Sequence, residues 1–95
     1  MKIISDEVTF LVELDHRETK KLNEAFESSR DIEAFAEQNR IDGVSITFRE
    51  RHDEIMVVTI CVDLKVKPIR EARGFAESIK KAIQESIKHI PVKRL

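Results

Sequence analysis

The sequence predicts an α+β sandwich in the ferredoxin-like βαββαβ order: an antiparallel sheet with two helices on one face, its last strand short or absent. Three observations carry that prediction. Strict alternation of apolar and polar residues recurs at residues 7–15, 44–49 and 55–66. Two long stretches with helical spacing fall between and after these segments. A polar turn at Arg51, His52, Asp53 and Glu54 divides the chain into halves of similar length, as the split βαβ arrangement requires.

Each element has its own signal. In the first strand Val8, Phe10, Val12 and Leu14 face one way, while Glu7, Thr9, Leu11, Glu13 and Asp15 face the other. Asp15 followed three residues later by Glu18 has the form of a capping box, so a helix starts there. Leu22, Ala25, Phe26, Ser29, Ile32, Phe35 and Ala36 form its apolar face. The run Ser28, Ser29, Arg30, Asp31 can re-cap it, which leaves one helix to about Gln38 or two shorter ones with a kink.

Gly43 ends the connection, and Val44, Ile46 and Phe48 mark the second strand. In residues 55–66, Met56, Val58, Ile60, Val62, Leu64 and Val66 mark one face without interruption, which predicts a central strand. Pro68 suits the first turn of a helix, because the N–H it lacks has no partner there in any case. Ile69, Ala72, Ala76, Ile79, Ile83 and Ile87 give that helix a long stripe running to about His89, where positive charge favours a helix end. Gly74 lies inside it, and its expected reason is close approach to a neighbouring backbone. Pro91 stops the helix, and residues 92–95 have room for only a short edge strand. The predicted core includes Val8, Phe10, Val12, Val58, Ile60, Val62, Ala76, Ile79 and Ile83.

Composition bounds what this fold can do. Ninety-five residues, 41% hydrophobic and 37% charged, make one domain spanning 1–95 and are too apolar for disorder. With 17 basic against 18 acidic residues the net charge is −1, so no nucleic-acid partner is expected. One cysteine cannot form an internal disulfide, and packing must hold the fold. The longest apolar run is far short of the roughly 20 residues a membrane helix needs. Residues 1–6 carry charges and lack the apolar centre of a signal peptide, so the expected location is cytoplasmic, without membrane insertion.

The open sheet face is the most informative surface. In the predicted order the first and third strands are neighbours in the middle of the sheet. The side away from the helices then carries Thr9, Leu11, Ser45, Thr47, Ile55, Val57, Thr59 and Cys61. Leu11, Ile55, Val57 and Cys61 make a contiguous patch that is large for a small monomer, which points to a homodimer or larger homo-oligomer. Base stacking would need aromatic rings at these positions, and there are none.

Other chemistry is sparse. Imidazole beside carboxylate suits a divalent cation, so His52 and Asp53 are the candidate metal ligands, with Asp15, His16 and Glu18 a second cluster. A solvated turn and a helix cap account for the same residues without a metal. Cys61 has Thr59 and Asp63 as same-face neighbours, neither of which would lower its pKa, and reads as a packing cysteine. Arg49, Arg51, Arg70 and Arg73 read as a solvated set against an equal acidic count. No nucleophile, acid and base fall at a catalytic spacing, and no nucleotide motif is present, so no enzyme and no cofactor beyond a divalent metal are expected.

Residues 41–87 resemble the C-terminal cytoplasmic domain of cation diffusion facilitator (cation efflux) transporters. The resemblance lies in Asp42-Gly43-Val44 before a strand, Phe48-Arg49-Glu50-Arg51, the long alternating strand ending near Asp63, and Glu71-Ala72-Arg73 opening a helix with Phe75-Ala76-Glu77-Ser78-Ile79 after it. It implies a compact regulatory α/β unit that dimerises, compatible with a membrane-protein partner. The family usually has a histidine where Arg73 stands, and a guanidinium cannot ligate a metal, so that family's metal site does not carry over. The run Ile4-Ser5-Asp6-Glu7-Val8 and the strand-to-helix unit at 58–82 are similar to the alkaline shock protein family. Lys67 and Pro68 stand where that family has a tyrosine-glycine turn.

Overall fold

The computed structural model describes residues 1–88. The order is β1 (Glu7–Glu13), α1 (His16–Ala25), α2 (Ser29–Gln38), β2 (Val44–Glu50), β3 (Met56–Asp63) and α3 (Ile69–Lys88). The three strands form an antiparallel sheet in the order β1-β3-β2. Both outer strands run antiparallel to β3, hence parallel to each other, and parallel strands of one sheet need a long crossover over its face. The helices α1 and α2 supply it.

The crossover is broken into two helices. Asp15 caps α1 by accepting the Glu18 N–H at 2.7 Å, and Glu18 accepts the Asp15 N–H at 3.0 Å, the reciprocal pair the sequence predicts. At the break, the Asp31 carboxylate accepts from both the N–H (3.1 Å) and the hydroxyl (3.2 Å) of Ser28. Of the two alternatives the sequence leaves open, the pair of shorter helices is the one formed, because a local cap at Ser28 competes with helix continuation. Phe26 before the break and Phe35 after it fold back on Phe48 of β2, with ring centroids 5.4 to 5.8 Å apart. This aromatic cluster closes the elbow.

The core lies between one sheet face and the helices. Val58, Ile60 and Val62 are fully buried, and Leu22 of α1, Phe35 of α2, and Ala76, Ile79, Ile83 and Ile87 of α3 are buried with them. All three helices contribute to one apolar cluster on that side of the sheet. Two expectations are corrected here. Val8, Phe10 and Val12 are half-buried and not fully buried, because among the described residues β1 is an edge strand and β3 alone is central. The third strand ends at Asp63, short of Val66. There the Asp63 side chain accepts the Lys65 N–H at 2.9 Å and its carbonyl accepts the N–H groups of Val66 and Lys67, which turns the chain and leaves Val66 45% exposed.

The two glycines differ in kind. Gly43 has φ +81°, and a Cβ there would lie 2.7 Å from Val66 Cβ, so both backbone and space demand glycine. Gly74 meets nothing within 4 Å, which overturns the expected close approach: it sits on the solvent side of α3. The end of the last helix near His89, the stop at Pro91 and the strand expected at 92–95 lie outside the described residues.

Candidate self-association face

Strand register arranges in rows the side of the sheet that no helix covers among the described residues. Glu7 pairs with Asp63; Thr9, Cys61 and Ser45 form the next row; then Leu11, Thr59 and Thr47; then Glu13, Val57 and Arg49. The middle of the strip is small and uncharged, and its two ends carry charge. Leu11 is 69% exposed, and Val57, Thr59 and Cys61 on the central strand are half-buried by their neighbours. Thr9, Ser45 and Thr47 are exposed.

Ile55, expected on this face, is not part of its exposed surface. It is buried, 7% exposed, just before β3 begins. Glu54 adopts φ 64° in the hairpin, a left-handed residue of the kind that bulges a three-residue loop. The Ile55 carbonyl closes the loop by accepting the Arg51 N–H at 2.9 Å.

The same hairpin holds His52 and Asp53. The Asp53 carboxylate accepts two hydrogen bonds from the Arg51 guanidinium, at 3.1 and 2.8 Å, and Arg51 donates a further one to Glu13 of β1 at 2.9 Å. The hydrogen bonds to Arg51 hold the Asp53 carboxyl below its ordinary range, and the bond to Asp53 raises Arg51 in turn. Asp53 is thus engaged in pinning the loop, and His52 is exposed. Among the described residues no three histidine, cysteine, aspartate or glutamate side chains gather into a metal-binding group. In the second cluster, Asp15 and Glu18 serve the helix cap, while His16 lines an open groove with Lys20, Glu24, Glu50 and Glu54.

Cys61 donates its thiol hydrogen to Glu7 at 2.9 Å and accepts from the Thr9 hydroxyl at 3.7 Å. The bond to Glu7, then burial, push the thiol above its ordinary range, the opposite of what a nucleophile needs. Sequence neighbours do not suggest Glu7 as its partner, because the contact is diagonal across two strands.

One structurally important residue leaves no sequence signal. Thr19 is buried on α1, and its hydroxyl accepts the Met56 N–H at 3.0 Å, tying the first helix to the first residue of β3. A threonine among polar residues on a helix looks like any solvated position. Its role exists only once β3 lies beside it.

Comparisons with protein-family models, with curated proteins and with solved structures found no match. Among the described residues no helix is long and apolar enough to cross a membrane.

Proposed function

We propose that the chain is a cytoplasmic, non-enzymatic regulatory domain that self-associates through its open sheet face, in the manner of a free-standing cation-efflux cytoplasmic domain. Its strand order, β1-β3-β2, fits a ferredoxin-like sheet. The observation that carries the reading is the uncovered strip around Leu11, Thr59 and Val57, which holds serine and threonine where lysine and glutamate would keep a permanently wet face. Four rows on three strands give a footprint of roughly 15 by 24 Å. That is small for a specific interface, so the expected dissociation constant is about micromolar or weaker.

Replacing Val57 by lysine tests the reading. The variant is expected to be a folded monomer in light scattering, since a cation near a twofold axis meets its own copy. Wild-type protein that stays monomeric at the highest soluble concentration overturns the proposal, as does a dimer that survives the substitution unchanged.

A further inference from the structure

Building on the self-association reading, we propose that two copies meet across a twofold axis running along β3, so that Glu13 of each copy pairs with Arg49 of the other. Two identical faces can meet only about an axis lying in the plane between the sheets. Charge and reach decide its direction.

An axis across the strands reverses the rows. It lays Val57 on the other copy's Asp63 and Glu7 on its Glu13, which sets an apolar side chain against a carboxylate and two like charges together. An axis along β3 keeps the rows and exchanges β1 with β2. Glu13 then meets Arg49 twice, Leu11 meets Thr47 twice, and Val57 meets Val57. Asp63 also meets its own copy, but in the outermost row. Packed sheets sit about 10 Å apart, a gap that a glutamate and an arginine reaching toward each other span and two short aspartates do not.

The pairing within the chain points the same way. Glu7 holds the Cys61 thiol and Asp63 the Lys65 N–H, whereas Arg49 makes no ion pair or side-chain hydrogen bond among the described residues. Glu13 receives Arg51 on Oε2, which leaves Oε1 for a second guanidinium. Arg49 and Glu13 are both exposed, at opposite edges of one row.

Sedimentation equilibrium on the full chain at low salt tests the axis with wild type, Arg49→Glu, Glu13→Arg, the double variant and an equimolar mixture of the two single variants. Each single variant is expected to weaken the dimer by about tenfold or more, because each brings like charges together across the interface. The double variant is expected to regain the wild-type dissociation constant, and the mixture to associate where neither single variant does alone. Both sites are exposed, and thermal melts are expected to place every variant among folded proteins. A wild-type dimer whose singles are unaffected, or are weakened with no recovery in the double variant and the mixture, overturns the axis and leaves the self-association reading standing. A wild-type monomer throughout overturns both.

Discussion

The two faces of β3 differ in what the rest of the chain does to them. Met56, Val58, Ile60 and Val62 point toward the helices and are buried, while Val57, Thr59, Cys61 and Asp63 on the other side are half-buried by flanking strands alone. Both faces contain β-branched residues, so composition does not distinguish them. The lesson is that burial here comes from α1, α2 and α3, and the opposite face keeps whatever exposure the sheet itself leaves it.

The sharpest way to break that contrast is to truncate on each side of the strand. Ile60→Ala is expected to cost about 2 to 5 kcal/mol, because the fully buried site cannot collapse around the void. Thr59→Ala, one residue away, is expected to stay within about 0.5 kcal/mol. Urea denaturation of the pair measures both, and equal losses would mean that the outer face is covered in the monomer.

Next in size is the joint between helix and sheet. Thr19→Val keeps the shape but removes the acceptor of the buried Met56 N–H, and the expected loss is about 1 to 3 kcal/mol. If urea midpoints for Thr19→Val and wild type coincide, the hydrogen bond is not what seats α1 on β3.

Smaller gains are expected where the backbone carries an avoidable cost. Gly74→Ala adds a methyl group in open space on α3 and is expected to stabilise by about 1 kcal/mol. Glu54→Gly relieves a left-handed glutamate, with an expected net gain of roughly 0.5 to 1 kcal/mol after the added freedom of the unfolded chain. Thermal melting of the two variants checks both signs.

The smallest effects are those of pH, and they have opposite signs in the hairpin and on the sheet face. Asp53 has a lowered folded-state pKa, so its contribution is present above the ordinary aspartate range and is lost as pH falls through the folded value. Asp53→Asn is expected to flatten that acid limb of the stability profile. Cys61 has a raised folded-state pKa, so its contribution is whole below the ordinary thiol range and is lost as pH rises through the folded value. Cys61→Ser is expected to remove that alkaline loss. Stability profiles that keep their limbs in these variants would assign them to other groups.

Periodicity was enough to find every strand among the described residues and the long helix α3, because a period of two or 3.6 in apolar residues is written into the chain before any packing occurs. The same local legibility holds for the Asp15 and Glu18 cap, the re-cap at Ser28 and the turn at His52. The burial of Ile55 was not legible, since it depends on how the folded hairpin closes around it. Nor was the reason for Gly74, because open space beside a helix is a fact about neighbours. Arg51 joining Glu13 to Asp53, Thr19 beneath Met56 and Glu7 on Cys61 connect residues separated by as many as 54 positions. Local pattern determined which residues face together on each element. Strand order and register decided which elements face each other, because those depend on long-range pairings that no window of sequence contains.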